Sequence, residues 1–288
     1  MEYGDKHILV LGAGASGIGA SWVLAQVGAH VVLNDYKPVT LPADEEKRLV
    51  SAGVDIITGR QDESLLDGVD RIVISPGISL DIPIVKAAQA RGIDVVSEVE
   101  VAYELSKSPI VAVTGTNGKT TTTTLLTKVL EGTGKPVRVG GNIGDSLSEV
   151  AYSMPADGFL VAELSSYQLE TIKHFRPIGA IMLNITPDHL ARHKTMENYI
   201  AAKERIFENQ LSTDFMVLNI DDPIVADMKH RAPSHILEIS QHQVVSNGAY
   251  YDKGQCYVTK NGMATPVIGS ADIHIPGSHN IENILTVI

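Results

Sequence analysis

Residues 110–121 read IVAVTGTNGKTT, and this strand–turn–helix cassette limits the fold more than any other stretch of the 288-residue chain. The apolar run at 110–113 reads as a buried strand. Gly115 and Gly118 let backbone N–H groups converge on an anion with no Cβ in the way. The helix opened by Lys119-Thr120 adds its positive end to the same place. Lys119 can reach terminal phosphates, and the Thr120 hydroxyl can ligate Mg²⁺. The loop Gly115, Thr116, Asn117, Gly118, Lys119, Thr120 and Thr121 therefore reads as a nucleoside triphosphate site. It departs from the usual G-x-x-x-x-G-K-[ST] pattern, because Val113 stands where the first glycine belongs. A glycine-rich turn with a surface lysine is the competing reading, and GKT in register behind an apolar strand weighs against it.

The first hundred residues alternate short apolar runs (8–11, 30–34, 56–57, 71–75, 94–96) with helical segments, which predicts a doubly wound parallel sheet. Gly12, Gly14 and Gly17 satisfy G-x-G-x-x-G between a strand and a helix, and Asp35 ends the second strand. Alone, this fingerprint means a dinucleotide and an NAD-dependent dehydrogenase. It requires only a diphosphate on a helix N-terminus with a carboxylate nearby, and a UDP-sugar also has a diphosphate. Gly14, Ala15, Ser16 and Asp35, with the tight turn Ser75, Pro76 and Gly77, make the candidate pocket at the C-terminal edge of this sheet. Glycines that merely pack helix on strand are the plainer alternative. The expected division is a Rossmann-like domain over 1–97 and a P-loop ATPase-like domain over 98–288, bridged by a helix at 98–106.

Three further clusters follow strands of the second domain. GGNIG at 140–144 includes Asn142 and can approach a ligand closely. Glu163 opens ELSSYQLE, which also holds Ser165; a carboxylate at a strand end in the sheet of a phosphate loop is a reasonable Mg²⁺ ligand. NITPDH at 184–189 ends in His189, a candidate metal or phosphate ligand. Lys203 lies on a helical stretch, where a lysine is ordinarily a solvated surface group. Short strands around 250–251 and 256–259 predict a hairpin with DKGQ at its turn.

A net charge of −11 argues against a general nucleic-acid binder. The single cysteine, Cys256, leaves no internal disulfide framework and fits a cytoplasmic setting. No apolar run is long enough for a membrane span, so no membrane partner is expected. The last residues, NILTVI, fall inside a helix expected from about residue 279, which suggests a fragment of a longer protein.

The ordered set TGTNGKTT, GGNIG, ELSSYQLE, NITPDHLARH, AAKERIF and GSHNIEN resembles the ATP-dependent Mur ligases over essentially the whole chain. SPGIS and ELSSYQLE favour the members that join D-glutamate to UDP-N-acetylmuramoyl-L-alanine, and the L-alanine-adding members are the nearest alternative. The resemblance implies a peptidoglycan-precursor ligase, an expected monomer, that activates a carboxylate with ATP as an acyl phosphate and couples it to an amine. It implies two Mg²⁺ sites, one on Thr120 and Glu163 and one on His189 and a carbamylated Lys203. Lys119, Lys203 and His189 would serve the chemistry, and Asn142 and Ser165 would contact the substrate or its metal. Asn280 and Asn283 would lie on the adenine side, and Gly14, Ala15, Ser16, Asp35 and Ser75, Pro76 and Gly77 would take the UDP group. The family's C-terminal domain is not in the sequence, so the 288-residue chain alone is expected to be inactive. Ala191 replaces the aspartate of the DHLDRH found in many relatives. A dehydrogenase explains only GAGASG and Asp35; a GTP-type switch lacks an N-K-x-D motif.

Overall fold

The first strand, β1 (His7–Leu11), sends Ile8 and Val10 into one core and Leu9 and Leu11 into another. Both faces of its sheet are therefore covered, as a parallel sheet requires. The computed structural model describes residues 3–288. After β1 come α1 (Ala15–Gln26), β2 (His30–Asp35), α2 (Ala43–Ser51), β3 (Asp55–Thr58), β4 (Arg71–Ile74), α3 (Pro83–Ala90), β5 (Asp94–Ser97) and α4 (Glu98–Leu105). The strand order β3-β2-β1-β4-β5 is parallel throughout. This is the doubly wound sheet expected from the alternation of apolar runs and helices.

The chain continues through β6 (Ile110–Thr114), α5 (Lys119–Glu131), β7 (Val137–Gly141), α6 (Leu147–Ser153), β8 (Phe159–Glu163), α7 (Ser166–Leu169), β9 (Gly179–Met182), α8 (Leu190–His193), α9 (Met196–Glu204), β10 (Phe215–Asn219), α10 (Pro223–Asp227), β11 (His235–Ser240), β12 (Gly248–Asp252), β13 (Gln255–Lys260), β14 (Met263–Gly269) and α11 (His279–Val287). Its nine-stranded sheet runs β14-β13-β12-β11-β10-β9-β6-β8-β7, parallel from β7 to β12. The β12–β13 hairpin turns on Lys253 and Gly254, both at positive φ, the backbone of a two-residue primed turn. The helical pattern at 196–207 resolves into α9 followed by a 3-10 turn, Arg205–Phe207. Strand β14 escaped the sequence reading because its first five residues are exposed and one of them is Pro266. No helix among the described residues is long and apolar enough to cross a membrane.

Chain contacts divide the molecule into two units that are not two continuous stretches. One comprises the residues up to Lys107 together with Ile143–Met154 and Tyr167–Phe175; the other comprises the remainder. Two buried carboxylates on α4 bind the late segments. Glu100 accepts from the amides of Lys173, His174 and Phe175 at 2.7, 2.7 and 3.1 Å. Glu98 accepts from the Ser148 amide at 2.5 Å, at the start of α6. Each buried carboxyl group replaces its hydration with backbone donors from a distant stretch of chain.

Glu98 is the less well satisfied of the two, since its Oε2 is buried with no hydrogen-bond partner. Burial pushes its carboxyl from 4.5 up to about 7, although the Ser148 hydrogen bonds favour the charged form. The fold therefore prefers the protonated acid. The stability this group contributes is complete below about pH 4.5 and is lost as pH rises toward 7, a span worth on the order of 3 kcal/mol. Glu98→Gln keeps an acceptor for the Ser148 amide and removes the charge. Denaturant melts should show the variant more stable than the parent by on the order of 2 kcal/mol at pH 8. The two should converge near pH 4.5, and equal stability at pH 8 would mean the charge is compensated in the fold.

Candidate nucleotide and substrate sites

β6 is buried along its whole length between β8 and β9, so the loop after it emerges at the C-terminal edge of the sheet, flanked by the ends of those two strands. That loop closes on Gly118, whose φ of +84° lies in the left-handed region and where an added Cβ would fall 2.6 Å from Asn283 Oδ1. The helix it starts, KTTTTTLLTKVLE, is poor in helix formers, and Thr124 and Thr127 hydroxyls bond back to the carbonyls of Thr120 and Thr123. Tertiary burial of Thr122, Thr123 and Leu126 rather than propensity holds α5 in place. Its N-terminus has no side-chain cap and no acidic residue in the first turn. The first-turn N–H groups of Lys119, Thr120 and Thr121 therefore have no intrahelical acceptor and suit an anion.

The segment after β9 grips the loop. The Asn184 carbonyl accepts from the Thr116 amide at 2.8 Å, and Asn184 Oδ1 accepts from the Asn117 amide at 2.8 Å. Asn184 Nδ2 donates back to the Asn117 carbonyl at 3.1 Å. Thr116 Oγ1 accepts from the Thr186 amide at 3.0 Å and lies 3.1 Å from the hydroxyl of the buried Tyr199. Asp222 caps α10 with one carboxylate oxygen and with the other accepts from the Ile185 amide at 2.7 Å.

Charges gather beside this loop. Lys119 Nζ folds back onto the carbonyls of Gly115 and Thr116 at 3.1 and 2.8 Å. Burial holds it below the ordinary lysine range, with Glu163 and Asp188 pulling the other way. Lys203, read from its helix as a surface group by default, is only 2% exposed. It donates to the Gly115 carbonyl at 2.7 Å, and its ammonium stands 4.9 Å from the centroid of the Tyr199 ring. Burial, then the neighbouring Lys119, push it down to about 7. Glu163, 1% exposed at the end of β8, accepts from Asn142 Nδ2 at 2.9 Å through Oε1, while Oε2 is buried with no partner. An orphaned carboxylate oxygen close enough to act on Lys119, beside an anion-binding loop, is a fitting ligand for a hard divalent cation.

Thr120 is exposed on the first turn of α5, and Ser165 is half-buried just after β8. His189 takes a positive φ of 53° and its Nε2 lies 3.5 Å from Asp188 Oδ2. Among the described residues no three of His, Cys, Asp and Glu come together in an arrangement that could hold a metal ion. Asn280 and Asn283 are buried. Asn280 donates to the Pro276 carbonyl at 2.6 Å, Asn283 donates to Asn280 Oδ1 at 3.0 Å, and Asn283 Oδ1 accepts from Thr122 Oγ1 at 3.1 Å. Both amides thus brace the loop from beneath within the chain. Sequence reasoning passed over Asn184, Tyr199, Asp222 and the 2.9 Å pair Ser166–His193. Only the position of Asn184 at a strand end, inside a motif already singled out, offered a signal.

In the other unit, Gly17 packs so tightly that a Cβ would stand 1.8 Å from the Gly12 carbonyl oxygen. Gly14 and Ala15 are exposed and Ser16 half-buried at the uncapped start of α1. Both Asp35 oxygens accept backbone amides, from Ala13 at 3.0 Å and Lys37 at 2.9 Å, and Ser75 Oγ donates to the Gly12 carbonyl at 3.2 Å. Asp35 and Gly77 line a cleft of about 640 Å³ with Tyr36, Lys37, Gln61 and Ile78. Pro76 is half-buried in the turn beside it.

Residues 113–288 match the family described as Mur ligase middle domain, and residues 6–97 match the Mur ligase MurD-like N-terminal domain. The UDP-N-acetylmuramoylalanine--D-glutamate ligase of Thermoanaerobacter sp. (strain X514) is 46% identical over 99% of this chain and 63% of its own length. The same enzyme of Halalkalibacterium halodurans is 42% identical over 99% and 62%. The chain thus spans about 63% of the length of such relatives. Among solved structures, the UDP-N-acetylmuramate:L-alanyl-gamma-D-glutamyl-meso-diaminopimelate ligase from Neisseria meningitides aligns with a TM-score of 0.65 at 21% identity, covering 98% of this chain and 92% of its own. The UDP-N-acetylmuramate-alanine ligase from Thermotoga maritima aligns with a TM-score of 0.55 at 22% identity, covering 98% and 63%. These two show the shared fold.

Gly118→Ala tests whether the loop geometry carries the site. The substitution places a methyl group in left-handed backbone and against Asn283, so it should destabilise the chain by about 1–2 kcal/mol and reduce ATP affinity at least tenfold in a binding titration. Retained affinity would show that the loop tolerates another backbone path.

Proposed function

The chain belongs to the Mur ligase family, and we propose that it carries the ATP and UDP-substrate sites of a ligase joining D-glutamate to UDP-N-acetylmuramoyl-L-alanine. The observation that carries this reading is the convergence of strand-end groups from β6, β8 and β9 on one sheet edge, where Lys119 feels both Glu163 and Asp188. Parallel sheets bind ligands at that edge. The ligase relatives supply the substrate, and an NAD-dependent dehydrogenase leaves this whole set without a role.

In this mechanism the first-turn amides of α5 and the Lys119 ammonium take the triphosphate. Transfer of its terminal phosphoryl group to a substrate carboxylate needs charge neutralisation and alignment more than a protein nucleophile. The amine of D-glutamate then displaces phosphate from the acyl phosphate. Thr120 and the free oxygen of Glu163 would hold a Mg²⁺ ion, which would supply positive charge to the reacting phosphates. Asn142, bonded to the other Glu163 oxygen, fixes that carboxylate's orientation. Asn142 and Ser165 would also meet the substrate.

Lys203 would serve a second cation with His189. Its depressed pKa keeps a substantial share of the amine neutral near pH 7, the form that adds CO₂ to give a carbamate. The carbamate would replace a positive charge beside Lys119 with a negative one. In the other unit, Gly14, Ala15 and Ser16 present the start of α1 to a diphosphate, with Asp35 and Ser75, Pro76 and Gly77 beside the cleft for the rest of the UDP group. Asn280 and Asn283 lie under the phosphate loop, toward the adenine side. A monomer acting in the cytoplasm goes with this reading.

Calorimetric titration with UDP-N-acetylmuramoyl-L-alanine and with NAD⁺ tests it: saturable binding of the first and none of the second is expected, and the reverse would restore the dehydrogenase. Glu163→Gln should lower the Mg²⁺-dependent part of ATP affinity at least tenfold while leaving binding of the UDP-substrate unchanged. An unaltered Mg²⁺ dependence would remove Glu163 from the metal site.

A further inference from the structure

The phosphate loop contains two glycines at positive φ, 115 and 118, and a chain with that freedom has many conformations to lose when it closes on an anion. In this protein the loop is not left to itself. The Asn184 side chain pairs with Asn117 as a neighbouring strand would, its Oδ1 accepting the amide at 2.8 Å and its Nδ2 donating to the carbonyl at 3.1 Å. The main chain of Asn184 separately takes the Thr116 amide at 2.8 Å. The amides of Thr116 and Asn117 therefore point at the segment after β9, and the donors left for an anion are those at the start of α5. Asn184 is half-buried, and Asn117 is exposed. The pairing thus costs little to break and is not part of the core.

We infer that Asn184 is a positioning residue: its carboxamide holds the phosphate loop in the triphosphate-binding shape before the nucleotide arrives. A loop ordered in advance does not lose that entropy on binding, and its donors are already aimed. The inference rests on the ATP reading of this loop. It assigns Asn184 no contact with the nucleotide; the residue acts through the backbone of Asn117.

Three forms of the 288-residue chain decide it: the parent, Asn184→Ala and Asn184→Asp. Each is titrated with ATP and Mg²⁺, and amide exchange of Thr116 and Asn117 is followed by NMR without nucleotide. In N184A the Asn117 amide should lose its protection while that of Thr116, held by the main-chain carbonyl of residue 184, keeps it. ATP affinity should fall about tenfold, with the melting temperature and binding of the UDP-substrate unchanged. N184D retains an acceptor for the Asn117 amide and should retain its protection. Unchanged ATP affinity in N184A would overturn the inference and leave the ATP reading standing. Joint loss of protection at Thr116 and Asn117 would also overturn it, since that marks a general loosening of the segment. A parent chain that binds no ATP would defeat the ATP reading, and this inference with it.

Discussion

The complete burial of β6 between β8 and β9 is the constraint on which the second unit depends. A parallel strand covered on both faces can expose its polar chain only at its ends, and the parallel order makes the C-terminal ends of β6, β8 and β9 neighbours. The phosphate loop, Glu163 and the segment from Asn184 to His189 therefore meet without any of them being adjacent in sequence. The side chains of Asn184 and Thr116 pair with backbone groups that the end of a buried strand would otherwise leave unpaired, and the Tyr199 hydroxyl meets that of Thr116.

Electrostatics at this edge is unbalanced in a way that suits an anionic ligand with a metal ion. Two lysines stand close enough that Lys119 lowers the pKa of Lys203, and burial lowers both. One oxygen of Glu163, which acts on Lys119, is buried without a partner. Each group is costly to bury in the free chain. Stability is given up here at a site poised for ligands.

In the first unit a pair of buried acids sets the domain organisation. Glu98 and Glu100 point from the same helix to different stretches of later chain and bind them through backbone amides. The hydrophobic cores around β1 hold the sheet together, and these hydrogen bonds, with the buried apolar face of α6, tie residues 143–154 and 167–175 to this unit.

The sequence by itself determined the strands that are continuous apolar runs, the two glycine loops, and the strand end where Glu163 falls, because period and turn chemistry are local properties; His189 lies seven residues beyond the end of β9, at the start of α8. Strand β14 lay beyond that reach, since an exposed edge strand has no apolar signature. The burial of Lys203 lay beyond it too: a lysine on a helix reads as solvated until the packing of α9 against the loop removes water from it. Asn280 and Asn283 were legible as a motif but not as braces beneath Gly118, nor was Asn184 legible as the partner of Asn117. The tertiary structure decided these, and the return of two late segments to α4, because each depends on desolvation and hydrogen bonding between residues dozens of positions apart, which no local pattern encodes.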